Sequence, residues 1–203
     1  MLNIDSDDLS AGGVHDVVQA RRFELVDDEG EVRAALMTRP DGSAEVRLLD
    51  IGGQPRVALK MRADGTPSVV LADACGKSRA QLSLDAAGTP SLVLADAAGR
   101  ADAGEPRVAL MLQPDGTPDL RLLDDRDQIR AALVLQPDNS PALVLNDAAG
   151  EGRAALTLGP DGSPNLRLLD AGGKPRAQLS LQKDGSPLLA LVDSFGNLYW
   201  RTP

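Results

Sequence analysis

From Phe23 to the end of the chain, apolar and polar residues alternate in short runs, and a turn sequence stops each run. The segment Arg153 to Arg176, RAALTLGPDGSPNLRLLDAGGKPR, holds the whole plan. Leu156 and Leu158, then Leu166 and Leu168, fall at period two, which is the signature of strands and not of helices. Between them Pro160-Asp161-Gly162 suits a three-residue hairpin loop, a type I turn whose Gly takes the left-handed position. Gly42, Gly65, Gly88, Gly116, Gly162 and Gly185 occupy that position, and Asn139 replaces Gly once. Asn is the residue that best tolerates the same conformation. A second turn of form Asp-x-x-Gly-x, as in Asp73-Ala74-Cys75-Gly76-Lys77, reads as a four-residue loop. Loops of three and four residues keep every strand in phase. One face then carries Leu156, Leu158, Pro164, Leu166, Leu168, Asp170, Pro175, Ala177 and Leu179; the other carries Arg153, Ala155, Thr157, Asn165, Arg167, Leu169, Arg176 and Gln178. A slip of one residue would turn the whole leucine face outward, so the pairing register is strongly specified.

The unit recurs on a fixed beat. Heading arginines stand at Arg33, Arg56, Arg79, Arg107, Arg130, Arg153 and Arg176, 23 residues apart except for 28 between Arg79 and Arg107. Closing aspartates at Asp27, Asp50, Asp73, Asp96, Asp124, Asp147, Asp170 and Asp193 keep the same interval. Such a period marks a repeat architecture. The expectation is an all-β chain of tandem 23-residue β-hairpins, about sixteen short strands in an up-and-down meander roughly 75 Å long if laid flat. Residues 1–22 read as an acidic leader with a short helical or arm segment, and residues 23–203 as the repeat domain. A flat layer leaves its leucine face open. The meander is therefore expected to coil into a β-spiral or solenoid, or to pack with other copies as an oligomeric β-prism. A propeller ranks third, because it needs a four-strand beat. Large aromatics are confined to the ends: Phe23 in the first strand, Phe195, Tyr199 and Trp200 in the last strand pair. They read as caps on an apolar column, as terminal repeats require.

Composition narrows the function classes. The chain is 42% apolar but only 2% aromatic, so leucine, valine and alanine must build its apolar surface. A net charge of -9 and a pI near 4.6 argue against a nucleic-acid binder, which needs a basic stripe. No apolar run approaches a membrane span, and the start MLNIDSDDLS is acidic where a secretory signal is basic. Membrane insertion is not expected. The location stays open between the cytoplasm and release by a route other than the general secretory one. The single Cys75 excludes a disulfide framework.

The candidate chemistry is sparse. Seven guanidinium groups at roughly 9–10 Å spacing would suit a polyanion, but the acidic balance favours stems laid over neighbours and heads paired with acids at the rim. Aspartates in turns suggest Ca²⁺, yet one closing Asp per repeat also serves as acceptor for turn amides without metal. His15 has no second His or Cys nearby, and Cys75 has no base beside it in sequence, so neither metal nor nucleophilic chemistry is expected. No GxGxxG or P-loop sequence occurs. No cofactor and no catalysis are expected. Residues Arg100 to Glu105 lengthen one turn, and Asp124-Asp125-Arg126-Asp127-Gln128 lacks its turn Gly.

The unit RAxLxLxxDGxPxLxLxDxxGxxR, the entry Gln19 to Asp27 and the ending Trp200 to Pro203 resemble a group of largely uncharacterised bacterial β-hairpin repeat proteins. That resemblance spans residues 19–203 and implies a stalk-like, oligomeric structural role, with no site residues. Members often carry a membrane or coiled-coil segment before the repeats; residues 1–22 contain none. In architecture the array is similar to β-prism fibre shafts and to choline-binding modules, but the aromatic cages that choline needs are missing from its middle. The functional expectation is a structural protein: an elongated, self-associating β-repeat rod or a fibre or filament component. Its own copies are the expected partner, with Leu2 and Ile4 of the leader as an assembly arm onto a neighbour's edge strand. The alternative is a non-enzymatic binding module whose mixed face, where Gln81, Ser83, Gln178 and Ser180 recur, recognises a partner protein or glycan.

Overall fold

The computed structural model describes residues 19–97 and 105–201. Leu2, Ile4, His15 and most of the insertion lie outside the described residues. Sixteen strands follow one another: β1 (Arg22–Val26), β2 (Val32–Thr38), β3 (Ala44–Leu49), β4 (Pro55–Met61), β5 (Pro67–Ala72), β6 (Ser78–Leu84), β7 (Pro90–Ala95) and β8 (Pro106–Leu112) make the first half. The second half is β9 (Pro118–Leu123), β10 (Ile129–Leu135), β11 (Pro141–Asn146), β12 (Gly152–Leu158), β13 (Pro164–Leu169), β14 (Pro175–Leu181), β15 (Pro187–Val192) and β16 (Leu198–Arg201). They form one antiparallel sheet in chain order, β1 to β16. Among the described residues no helix is long and apolar enough to cross a membrane.

The meander does not coil. Among the described residues each strand touches only its chain neighbours, and β1 and β16 remain two separate edges. The expectation of a spiral or solenoid is therefore overturned for the single chain. The reason lies in the ladders: every hairpin is hydrogen-bonded to the next as fully as its own two strands are to each other, so the sheet has no weak seam at which to fold back.

Both turn types share one geometry. Arg39 N donates to Ser43 O at 2.8 Å and Gly42 N to Arg39 O at 3.0 Å; in the other type Asp27 N donates to Glu31 O at 3.0 Å and Gly30 N to Asp27 O at 3.0 Å. Each is a type I turn closed by a left-handed residue, with φ of +85° at Gly42 and +83° at Gly30. Asn139 takes φ +63°, and Asp127 stands at +59° where its turn lacks Gly. The four-residue loop inferred for the second turn is thus incorrect. Phase is kept by a β-bulge instead: Leu25 pairs with Ala34 and Val26 with Val32, which leaves Arg33 as the extra residue. The same shift leaves Arg56, Arg79, Arg107, Arg130, Arg153 and Arg176 unpaired in their ladders. Every heading arginine is a bulge residue, and Tyr199 takes that place in β16.

A single layer has no interior. Among the described residues no large side chain is fully buried, and the buried apolar residues are Ala35, Ala58, Ala109 and Ala142. All four lie on the mixed face. The leucine face is the bare one.

Candidate functional site

The leucine face is built in rows running across the strands. Register places Phe23, Leu36, Val46, Leu59, Val69, Leu82 and Leu92 side by side, and the row continues through Leu110, Leu120, Leu133, Leu143, Leu156, Leu166 and Leu179 to Leu189. A second row reads Leu25, Ala34, Leu48, Val57, Leu71, Ala80, Leu94, Val108, Leu122, Ala131, Leu145, Ala154, Leu168, Ala177, Leu191, Trp200. Odd strands carry Leu and even strands carry Ala or Val, until Trp200. A third row alternates in the opposite phase: from β3 onward Ala or Pro stands on odd strands, and Met or Leu on even ones, as in the pairs Met61–Pro67, Leu112–Pro118 and Leu158–Pro164. Leu82 and Leu133 are 51% exposed and Leu156 48%, so about half of such a side chain meets nothing among the described residues. A trough of about 600 Å³ crosses the face near β2 to β7, with Leu36, Val46, Leu59, Val69, Leu82 and Leu84 among its walls. Monomers rarely show a continuous apolar surface of this extent unless something binds it.

The opposite device is an arginine–aspartate edge along the Asp-x-x-Gly turns. Each heading arginine meets the aspartate that opens its own turn: Arg33 Nε donates to Asp27 Oδ2 at 2.6 Å, and Arg176 Nε to Asp170 Oδ2 at 2.6 Å. Arg56–Asp50 and Arg130–Asp124 lie at 3.3 Å, Arg79–Asp73 at 3.4 Å, Arg107–Asp96 at 2.5 Å and Arg153–Asp147 at 3.8 Å. Strand alternation had placed Asp170 and Arg176 on opposite faces; the bulge offsets the alternation and brings them together. The second carboxylate oxygen closes the turn, as where Gly52 N and Gln54 N donate to Asp50 Oδ1 at 2.9 and 3.0 Å. Several arginines also reach the next turn: Arg33 Nη1 donates to Asp50 O at 2.8 Å, Arg56 Nε to Ala72 O at 2.9 Å and Arg176 Nη1 to Asp193 O. Asp193, followed by Tyr199, takes Asn197 Nδ2 at 3.1 Å. The guanidinium groups are thus engaged by the chain's own acids and carbonyls.

These bonds set the charge state of the edge. Turn amides first, then the arginine, hold the carboxyls of Asp27, Asp50 and Asp170 below their ordinary range. In the Pro-Asp-Gly turns and their variants the hydroxyl at the loop's end does the same, with Thr66 Oγ1 donating to Asp64 Oδ1 at 2.6 Å and Ser140 Oγ to Asp138 Oδ1 at 2.6 Å. The aspartates point into their own turns, and among the described residues no three His, Cys, Asp or Glu side chains converge. Cys75 is exposed, its N–H donating to Asp73 Oδ1 at 2.9 Å.

The middle of the mixed face holds three equivalent arginines. Arg47 Nε lies 2.7 Å from Glu45 Oε1, and Arg121 Nε donates to Asp119 Oδ2 at 2.8 Å. Burial would raise the Glu45 carboxyl, but the Arg47 bond and charge prevail and lower it. At the third place the acid is replaced by neutral Asn165; Arg167 Nε and Asn165 Oδ1 are buried without a hydrogen-bond partner, as are Arg47 Nε and Glu45 Oε1, but Arg47 and Arg121 each have a carboxylate beside them. Asn165 and Arg167 line a shallow hollow of about 420 Å³ with Thr157, Gln178 and Ser180. The sequence reading weighed the repeated Gln and Ser positions and missed this break in the Glu/Asp–x–Arg pattern, which a repeat-by-repeat alignment of positions 45, 119 and 165 displays.

The aromatics divide. Phe23 and Trp200 lie in the rows of the leucine face, 42% and 46% exposed, while Phe195 and Tyr199 stand out at 88% and 81%. Within one chain there is no closed column for them to cap.

No protein-family profile matches the chain, and no curated protein matches it significantly. Among solved structures it is similar to the TCP domain of SAS-4 (dCPAP) from Drosophila melanogaster, solved in complex with a proline-rich motif of Ana2 (dSTIL). The two are 12% identical, over 87% of this chain and 94% of that one, with a TM-score of 0.47. The G-box domain of the microcephaly protein CPAP is 18% identical over 84% and 98% of the two chains, with a TM-score of 0.35. A porin-like protein from Bacteroides uniformis is 10% identical over 88% and 86%, with a TM-score of 0.23.

Proposed function

We propose that this chain is a structural, non-enzymatic protein: an elongated β-sheet unit that associates with its own copies through the leucine face, as a component of a rod, fibre or filament. One observation carries this reading. An apolar surface runs across the sheet, its second row unbroken from Leu25 on β1 to Trp200 on β16, and no element of the described chain covers it. The arginine–aspartate edge complements it by bracing successive turns. Light scattering across protein concentration tests the proposal: a dimer or larger assembly is expected, weakened by Leu133→Ser and Leu156→Ser. A monomer of 21.2 kDa at every concentration refutes it.

A second reading rests on Arg167. Where Arg47 and Arg121 have an internal carboxylate, Arg167 has a neutral neighbour and an open hollow. The mixed face there is suited to an acidic side chain of a partner protein. Calorimetric titration with poly-glutamate should give binding that Arg167→Gln removes; no binding by the wild type discards this reading.

A further inference from the structure

We infer that the occupant of the leucine face is a second copy of the chain, stacked face to face about a two-fold axis parallel to the strands, with the strand order reversed. This rests on the self-association proposed above and specifies its geometry. The first argument is parity. A two-fold axis lying between β8 and β9 sets β1 of one copy over β16 of the other, β2 over β15, and β8 over β9. An odd strand always faces an even one, because the described residues form an even number of strands.

Parity then decides the packing. In the second row odd strands carry Leu and even strands Ala or Val, so each Leu ridge meets a hollow: Leu71 opposes Ala154, Leu94 opposes Ala131 and Leu48 opposes Ala177. In the third row the phase is inverted, and Leu or Met opposes Pro or Ala. The central row, leucine and valine nearly throughout, forms the seam. The 23-residue hairpin repeat gives any property a two-strand period; what bears on packing is that in both outer rows this period sets a large residue over a small one across the axis, as interdigitation requires.

The ends argue for reversal. Stacking with the strands in the same order also matches large to small, because it lays the second row on the third. The third row, however, has no described apolar residue on β1 or β16. Leu25 and Trp200, 65% and 46% exposed, would then stay in water. Reversal sets them on each other, and the aromatic end of one copy closes the start of the other. The area fits as well: sixteen strands at about 4.8 Å and a strand length of about 20 Å give roughly 3,000 Å² over both copies, within the range of obligate homodimers.

Thiol cross-linking in a Cys75→Ser background tests this. Facing sheets lie about 10 Å apart, so Leu110→Cys, on β8 beside the axis, should join two copies through a short bifunctional reagent, and Leu120→Cys on β9 should repeat the result. Leu36→Cys should not join to itself, since its two positions lie roughly 60 Å apart. It should join to Leu189→Cys when the two variants are mixed. Circular dichroism of each variant checks that the sheet is kept. Self-joining by Leu36→Cys overturns the reversed order while leaving self-association standing, as does an oligomer in which neither Leu110→Cys nor Leu120→Cys cross-links. A monomer at all concentrations, including one that binds neutral phosphatidylcholine vesicles, overturns both.

Discussion

Replacing Ala154 by leucine separates interlocking from mere stickiness, because the two predict opposite signs. Ala154 sits on β12 between Leu145 and Leu168 on the leucine face. Within one chain a leucine there meets open solvent, so the fold itself should tolerate it. If the face associates only because it is apolar, three added carbons at about 0.8 kcal/mol each strengthen the contact by roughly 2 kcal/mol per copy. If instead Leu71 of a second copy fills that hollow, the added bulk overpacks the interface, at a cost of about 1–3 kcal/mol per site. A two-fold dimer contains the site twice, so the expected change is roughly 2–6 kcal/mol, or about thirty-fold to twenty-thousand-fold in the dissociation constant. Sedimentation velocity over a thousand-fold range of protein concentration resolves the sign. Tighter association of Ala154→Leu would refute ridge-in-groove packing. Leu156→Ala should weaken the contact under either account and serves as the control.

Asp127→Gly should raise the melting temperature, by relieving about 0.5–1 kcal/mol at a residue held at φ +59°; an unchanged or lower value rejects the strain. Arg130 ties its own turn through Asp124 at 3.3 Å and the next through Asn146 O at 3.2 Å. Arg130→Ala should therefore speed amide exchange in the turns at 124–128 and 147–151 but not in the turns of the opposite edge. Uniform acceleration would mean that the arginine supports the whole sheet instead. Acid should destabilise the protein in a defined window. The carboxyls of Asp27, Asp50, Asp64 and Asp170 are depressed when folded, so the folded state binds fewer protons. Their stabilisation is full above the ordinary Asp pKa of about 3.9 and is lost as pH falls through the lower folded values. Melting curves should be flat from neutral pH to about 5 and should fall below about 4; a rise there would contradict the sign.

Strand number, chain order and both turn positions were legible because three independent signals agree in most repeats: period-two alternation, Gly or Asn at the left-handed position, and the 23-residue beat; Asp127 and the 28-residue step from Arg79 to Arg107 are the exceptions. The bulge was not. A four-residue loop and a type I turn followed by one extra strand residue keep the same phase, so the sequence of Asp170 to Arg176 is compatible with both. Only the ladder, in which Leu168 pairs with Ala177 and Leu169 with Pro175, distinguishes them. Arg176 then joins Asp170 from what alternation reads as the wrong face. Curling was misjudged for a different reason. The expectation assumed that one chain must hide its own leucines, whereas the hydrogen-bond ladder is continuous across every hairpin and favours an open layer.

The two faces show what such a layer needs. On the mixed face Ala35 and Ala109 stand across from Arg47 and Arg121 and are only 5% and 4% exposed. On the leucine face no such long side chains stand among the leucines, and about half of Leu82 or Leu133 is exposed. Lengthening the array does not cure this, because each added hairpin brings as much open face as it brings new contact. A compact domain gains burial with size; a single layer does not. The remedy available to every repeat at once is a second layer of the same period, and the alternation of large and small in the outer rows supplies the teeth on which such a layer engages.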